Sequence, residues 1–492
     1  MNVRLVTKIV GIILLSEPAL MAAPAVVGLI YRETDSVTAF LITMAVTFAV
    51  GLVMFLPNRS YGRVFQREGF VIVTLGWLLI SVFGCLPFVI SGSIPNVVDA
   101  FFETISGFTT TGASILEDVE ALSKSMLFWR SFTHWVGGMG VLAFVMILTP
   151  LLGSRNNYLL QAETPGPESD KLVPKARSTV KILYGIYFGM TLVLVLLLMA
   201  GGMSVFDSLI HSFGTAGTGG FSNYSDSVGH FGSAYIEIVI GVFMLLFGVN
   251  FKIHYFLLLK RKLSILKNEE LLTYVGIVFF ATVTITASIM KSFPSAWDAL
   301  RASFFQVSSI LTSTGYSTAN FDIWPQYPRT LLLVLMLIGA CAGSTGGGFK
   351  VARLVLISKA AKRGVNRLVH PRAIKAIKMD GKTVDERILV NAGVYLILYI
   401  FIMVISVIVL SLDNITFEEN ISSVVSCFNN IGPAYGTMGP VGNYGGLSIL
   451  SKLVLSFDML AGRLEIMPLM ILLLPGDRHL RRSFVQQKTV VP

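Results

Sequence analysis

Four short segments carry residue types from which a cation site can be built out of backbone. They are Thr109-Thr110-Thr111-Gly112-Ala113, Gly217-Thr218-Gly219-Gly220-Phe221, Thr312-Ser313-Thr314-Gly315-Tyr316 and Asn429-Asn430-Ile431-Gly432-Pro433. A cation that gives up its water needs a replacement shell of oxygens, and main-chain carbonyls supply one without a formal charge. Glycine permits conformations in which successive carbonyls face one way, and threonine hydroxyls add ligands at the inner edge. The candidate ligands are Thr110, Thr111 and Gly112; Thr218, Gly219 and Gly220; Ser313, Thr314 and Gly315; and Asn430, Ile431 and Gly432. No carboxylate lies in any of these segments, which argues against a divalent-cation ring. No Lys or Arg lies there either, which argues against anions. A monovalent cation remains, and a glycine in every segment favours potassium over sodium.

The segments recur at intervals of roughly a hundred residues, the mark of one architectural unit used four times. Aligned on Gly112, Gly220, Gly315 and Gly432, they share an apolar residue eleven positions upstream: Phe101, Leu209, Phe304 and Ile421. Six positions upstream stand the small residues Ser106, Gly214, Ser309 and Ser426. The stretches 101–108, 209–216, 304–311 and 421–428 are too short to cross a bilayer. Each reads as a two- or three-turn helix entering partway, followed by an extended polar segment. The fourth segment lacks threonine and the second carries the additional Gly219, so the symmetry is only approximate. Selectivity is therefore expected to be weaker than in a symmetric tetramer, with rubidium and some sodium passing.

The elements that must position these segments are membrane spans. The chain has 492 residues, 54% hydrophobic and 13% charged, about half the charged fraction of a soluble protein. Apolar runs fall near 9–30, 37–56, 70–91, 127–151, 180–202, 233–258, 272–290, 330–357, 389–411 and 448–474. The expected fold is an all-α polytopic membrane protein, with an N-terminal two-helix hairpin and four pseudo-symmetric span–pore helix–filter–span repeats around one pore. The boundaries are 1–68 for the hairpin, then 69–152, 153–258, 259–388 and 389–492 for the repeats. The N-terminal run, broken by Glu17 and Pro18, has no small-residue cleavage pattern and reads as a retained helix. Cys85, Cys341 and Cys427 have no metal-ligand spacing and imply neither zinc nor a disulfide framework.

Loop charge gives the orientation. Basic residues crowd Arg59, Arg63 and Arg67; Lys171, Lys175 and Arg177; Lys260, Arg261 and Lys262; Lys359 through Arg387; and Arg478, Arg481 and Arg482. The alternate loops carry Glu33, Asp35, Glu117, Asp118, Glu120, Asp413, Glu418 and Glu419. The positive-inside rule places both termini in the cytoplasm and brings all four segments in from the opposite face. The basic loop 358–388 is a topogenic signal, a lipid-binding surface or a docking site for a soluble partner.

Below the third segment the span is interrupted by Gly339-Ala340-Cys341-Ala342-Gly343-Ser344-Thr345-Gly346-Gly347-Gly348. So much glycine does not stay helical, and irregular backbone at membrane depth is tolerated only inside protein or beside water. A loop just under the filter is a sensible constriction; a helix-packing face through Gly339, Gly343 and Gly347 is the other reading. The string ending in Phe349-Lys350 is not a P-loop, because Phe349 holds the lysine position and no hydroxyl residue follows Lys350. Arg463 sits mid-span with Asp458 and Glu465 nearby, where an arginine is costly and usually faces an internal cavity. It is read as an electrostatic barrier that also bonds the carbonyls of this loop, with a structural pair to Asp458 or Glu465 as the alternative. Lys252 and His254 are expected to snorkel at a span end, and Arg130 and His134 to brace the first segment.

These residues resemble the Trk/Ktr/HKT superfamily of potassium transporters, and within it the bacterial Trk membrane subunits. The resemblance covers essentially the whole chain, the extra N-terminal hairpin included. It rests on Thr109-Thr110-Thr111-Gly112, Trp129-Arg130 with His134-Trp135-Val136-Gly137-Gly138-Met139-Gly140, Gly219-Gly220-Phe221-Ser222 and Asn250-Phe251-Lys252 with His254-Tyr255. Ser344-Thr345-Gly346-Gly347-Gly348 with Lys350, and Asp458 with Gly462-Arg463, complete it. The resemblance implies gated potassium uptake at the bacterial inner membrane by a homodimer with one pore per subunit. It also implies a cytoplasmic nucleotide-binding regulatory subunit that senses adenine nucleotides or NAD(H). Its intramembrane gate corresponds to Gly343, Ser344, Thr345, Gly346, Gly347, Gly348 and Lys350, with Arg463. Potassium is then cargo, with no covalently bound cofactor and no nucleic-acid partner.

Other functions fit less well. The chain has no HExxH, no GxSxG within a span and no aspartate pair at catalytic spacing, so an intramembrane enzyme is not expected. A sodium-selective relative would carry serine at Gly112. Channel, sodium- or proton-coupled symporter and a less selective monovalent cation transporter all stay open, and no intramembrane carboxylate pair marks a proton relay.

Overall fold

The computed structural model describes residues 1–57, 66–140, 176–372 and 376–464, together with 466, 469 and 470. The expectations placed on Arg59, Arg63, Lys171, Lys175, Glu465, Arg478, Arg481 and Arg482, and on the second half of the 127–151 span, lie outside these residues.

The described chain is mostly helical. Helices α1 (Val3–Tyr31) and α2 (Thr34–Phe55) form the N-terminal hairpin, and α1 also packs on α3 (Gln66–Gly84) and α6 (Lys124–Gly138). Between them lie the single-turn α4 (Leu86–Ile90) and α5 (Val97–Phe108). There follow α7 (Ala176–Ala200), α8 (Val205–Gly217), α9 (Ala234–Phe247) and α10 (Phe251–Leu258). Next come α11 (Glu269–Ile289), α12 (Ala296–Leu311), α13 (Gln326–Ile338) and α14 (Val351–Val369). Helices α15 (Glu386–Leu410), α16 (Phe417–Phe428) and α17 (Ile449–Leu464) close the order. A two-residue hairpin, β1 (Lys378–Met379) and β2 (Lys382–Thr383), turns at Asp380-Gly381 in the basic loop.

Six described helices are long and apolar enough to cross a membrane: Val3–Tyr31, Thr34–Phe55, Arg67–Ile90, Val180–Ala200, Glu269–Ser292 and Glu386–Asp413. Their outward faces are apolar, as in Phe279, Phe280, Ile397 and Phe401, all exposed. A bilayer, not water, is the solvent such faces match. The chain is a multi-pass membrane protein.

Two expected spans are not continuous helices. The run 233–258 is broken at Gly248-Val249-Asn250, and α9 and α10 meet at 98°. Asn250 caps α10, its side chain accepting from the Lys252 N–H, so a new helix starts where the apolar run reads as unbroken. The run 330–357 ends its helix at Ile338, passes through the glycine-rich loop and resumes at Val351. His254 does not snorkel: it is buried, with Nε2 2.9 Å from the Leu246 carbonyl across the α9–α10 break.

Candidate functional site

Each glycine segment follows a short helix whose start is fixed by one local device. Asn96, Ser204, Ser295 and Thr416 cap α5, α8, α12 and α16 by accepting from first-turn N–H groups. Asp99, Asp207, Asp298 and Glu419 stand three residues later, where acids favour a helix N-terminus. The helices run three to four turns, starting earlier than the stretches 101–108, 209–216, 304–311 and 421–428. Each presents the partial negative charge of its C-terminal end to the segment that follows.

The helix ends are also alike. Thr110, Thr218, Ser313 and Asn430 all take left-handed conformations, with φ of 58°, 56°, 57° and 56°. Two residues on, Gly112, Gly220, Gly315 and Gly432 return to positive φ, at 81°, 75°, 83° and 104°. The N–H groups of Thr111, Gly219, Thr314 and Ile431 reach back to the carbonyls of Ser106, Gly214, Ser309 and Ser426 at 2.8, 2.8, 2.8 and 2.9 Å. This is the six-to-one bond of a Schellman cap. The small side chains there fit tight surroundings: a Cβ at Gly214 would meet Tyr316 Oη, and the Ser309 and Ser426 hydroxyls donate to the Tyr316 and Pro433 carbonyls at 2.6 and 2.8 Å. A cap of this kind ordinarily uses glycine; three β-branched or hydroxyl residues and an asparagine here cost on the order of 1 kcal/mol each. Strain repeated four times at equivalent positions marks a backbone held for a purpose.

The four segments meet in a closed cycle. A Cβ added at Gly112 would overlap the Gly219 carbonyl oxygen, one at Gly220 that of Thr314, and one at Gly315 that of Ile431. At Gly432 it would fall 2.7 Å from the Thr111 carbonyl oxygen, which returns to the first segment. The helices close in the same order, since α8 packs on α6, α12 on α9, α16 on α13 and α5 on α17. Gly112, Gly220, Gly315 and Gly432 all line one cavity of about 110 Å³, whose wall also holds Ser114, Ser222, Ser317 and Asn443.

Different side chains brace each junction of the ring. Between the first and second segments, Arg130 Nε meets Glu103 Oε1 at 2.5 Å and its NH1 donates to the Ser222 carbonyl at 2.8 Å. Glu103 in turn accepts from the Ile115 N–H at 2.9 Å, fastening the chain beyond the first segment. His134 spans the same junction, with Nδ1 2.8 Å from the Gly107 carbonyl and Nε2 accepting from the Phe221 N–H at 3.2 Å. Tyr316 Oη reaches from the third segment to the Phe221 carbonyl at 3.3 Å. Asp322, paired with Arg329 at 3.3 Å, accepts from the Gly436 N–H at 3.1 Å and ties third to fourth. Asn430 Nδ2 donates to Thr111 Oγ1 at 3.0 Å and ties fourth to first.

The glycine-rich loop lies against the inner ends of these helices. A Cβ at Gly346 would stand 2.8 Å from the Thr312 carbonyl oxygen, and one at Gly347 2.5 Å from that of Asn429. Only glycine permits so close an approach. The Gly347 N–H donates to Ser313 Oγ at 2.6 Å. The loop threads the α9–α10 break: Cys341 N–H donates to the Gly248 carbonyl and Phe251 N–H to that of Gly343, each at 3.0 Å. Lys350 Nζ bonds the Gly346 carbonyl within the loop. Arg463 donates from NH1 to the Thr345 carbonyl at 2.7 Å, and from NH2 to those of Gly137 and Gly138 at 2.5 and 2.9 Å. These three acceptors are backbone carbonyls, while Asp458 Oδ1 accepts from Ser406 at 2.9 Å.

The filter and gate candidates, with Arg130 and His134, thus lie at the ring, in the loop beneath it or at the arginine that joins loop to α6. Sequence reading missed Glu270, a buried carboxylate of α11 that accepts from the Ala342 N–H at 2.6 Å and the Ala352 N–H at 3.2 Å, holding both ends of the loop. It also missed Glu103 and Tyr444. An acid inside an apolar stretch was the available signal for Glu103; nothing local marks Tyr444.

A family model described as TrkH, cation transport protein, matches residues 36–271 and 268–481. The Trk system potassium uptake proteins TrkH of Salmonella typhimurium and of Escherichia coli are each 37% identical over 482 residues, covering 96% of this chain and 99% of theirs. The Trk system potassium uptake protein TrkG of Escherichia coli is 32% identical, covering 96% of this chain and 98% of its own. Among solved structures, the potassium transporter TrkH from Vibrio parahaemolyticus superposes with a TM-score of 0.86 at 34% identity, covering 96% of this chain and 99% of that one.

Proposed function

Because the chain belongs to the TrkH cation transport protein family, a family of transporters and not of enzymes, we propose that it carries potassium into bacteria through a gated, moderately selective pore. The observation that carries this reading is the closed cycle of Gly112, Gly220, Gly315 and Gly432 at the ends of four capped short helices. Residues of positive φ alternate with residues of negative φ along each segment, and the negative ends of four helix dipoles favour a cation beside them. The architecture is then an N-terminal hairpin, 1–68, and four pore repeats at 69–152, 153–258, 259–388 and 389–492, with potassium as cargo bound by the four segments.

The loop from Gly343 to Gly348, with Lys350 and Arg463, is the gate in this reading, and Arg463 places a fixed positive charge under the filter. Family membership also supports a homodimer in the inner membrane, both termini cytoplasmic, controlled by a cytoplasmic nucleotide-binding subunit. A negative-inside potential drives uptake by about 2.3 kcal/mol per charge per 100 mV. The test is growth on limiting potassium of a bacterium stripped of its own uptake systems. The chain and its regulatory subunit restore growth together; failure, with the protein in the membrane, would sink the proposal.

One observation favours a second, coupled reading. Among the described residues, neither carboxylate oxygen of buried Glu17 has a hydrogen-bond partner, and neither has Oδ2 of buried Asp458. Carboxylates at membrane depth are the usual stations of a proton relay. Acidification inside liposomes in step with potassium entry, lost in Asp458→Asn, would establish symport; a potassium current that reverses at the potassium Nernst potential whatever the proton gradient would exclude it.

A further inference from the structure

The ring is not equivalent in its four quadrants. Tyr444 Oη donates to the Gly432 carbonyl at 2.7 Å. Among the described residues no hydrogen-bond donor reaches the carbonyls of Gly112, Gly220 or Gly315. Tyr444 is only 2% exposed, and every part of it is fixed. Its N–H donates to the Ser114 carbonyl at 2.8 Å, beyond the first segment, and its ring lies 5.7 Å from that of Phe102 on α5. Backbone and ring thus belong to the first quadrant, while the hydroxyl acts on the fourth.

The fourth quadrant is also where hydroxyl ligands are absent. Ile431 stands where the first and third segments have Thr111 and Thr314, and Asn430 spends its amide on Thr111 and on the Met459 carbonyl at 2.8 Å. With no threonine to stiffen it, this segment needs its carbonyl held from outside. A carbonyl oxygen has two lone pairs, so one can accept from Tyr444 while the other serves an ion. We infer that Tyr444 is a selectivity-determining positioning residue, which fixes the Gly432 carbonyl and thereby the size of the cation site in the fourth quadrant. The inference rests on the proposed filter and goes beyond it, since it assigns discrimination between ions to a residue outside all four segments.

The test is the ratio of potassium to sodium permeation in proteoliposomes of the full chain, with Arg463→Ala as background to keep flux measurable. A ratio taken within one preparation does not depend on the amount of folded protein. Tyr444→Phe removes the hydroxyl alone and is expected to lower the ratio about fivefold with rubidium flux retained, since filter selectivity depends on how many carbonyls hold their place. Phe102→Leu loosens the ring without touching the hydroxyl; it lowers the melting temperature and leaves the ratio within twofold of the parent.

For a variant with too little flux, the melting-temperature rise given by potassium over sodium replaces the ratio. It shrinks in Tyr444→Phe and persists in Phe102→Leu. An unchanged ratio in Tyr444→Phe, or an equal fall in Phe102→Leu, would overturn the inference and leave the filter standing. A parent that does not separate potassium from sodium would overturn both.

Discussion

The N–H of Gly347 donates to Ser313 Oγ at 2.6 Å, joining the glycine-rich loop directly to the left-handed residue of the third segment. The proposed gate therefore touches the proposed filter, and neither can move without breaking this bond. Ser313→Ala leaves a buried N–H without its acceptor, a loss of about 1–3 kcal/mol that falls on the loop's present position. Rubidium flux in liposomes without the regulatory partner should rise roughly tenfold. Unchanged flux would mean that the bond does not hold the loop shut.

Arg463 ties the same loop to α6 through the carbonyls of Thr345, Gly137 and Gly138. Arg463→Ala should raise flux more than tenfold, because both the fixed charge and the tether go. Arg463→Lys keeps the charge and loses the fork, so it should fall between parent and alanine variant. If lysine and alanine variants conduct alike, the tether matters and the charge does not.

Arg130 and Glu103 are a fully buried pair at the first junction. Removing one member strands the other, and Glu103→Gln should cost about 3–5 kcal/mol. The double variant Glu103→Gln with Arg130→Met should be more stable than either single one. Thermal unfolding in detergent reads this directly; additive losses would contradict a mutual pair.

Glu419 gives the protein a defined response to acid outside the spans. Burial pushes its carboxyl up, but bonds from the Thr437 N–H, the Thr416 hydroxyl and the Thr416 N–H outweigh that and hold it at about 2. The folded value lies below the unfolded one of about 4.3, so the contribution is complete above that pH. It fades as pH falls from about 4.3 toward about 2. The melting temperature of the parent should thus drop over this window more than that of Glu419→Gln, and the two curves should run parallel above pH 5.

The ring was legible because its chemistry is local. Positive φ selects glycine at Gly112, Gly220, Gly315 and Gly432, and close approach to the returning segment selects a small residue at Gly214, Ser309 and Ser426. The loop at 339–348 announced itself by glycine at membrane depth. Helix starts were legible in principle, since an Asn, Ser or Thr three residues before an acid precedes each of the four short helices that lead into a glycine segment. The α9–α10 break was hidden because Gly248-Val249-Asn250 interrupts an apolar run without lowering its hydropathy enough to register. Glu270 and Tyr444 were out of reach for another reason: they act on residues 72 and 12 positions away through contacts that only the packed helices create.

Rubidium influx into proteoliposomes of the Arg463→Ala chain, with potassium, sodium and lithium as competitors, tests the account at its centre. Potassium should block influx and sodium and lithium should not. Gly315→Asp, whose side chain would collide with the Ile431 carbonyl, should abolish that order, as should the equivalent change at Gly112, Gly220 or Gly432. Influx that keeps the same competitor order in all four variants would show that the ions pass elsewhere.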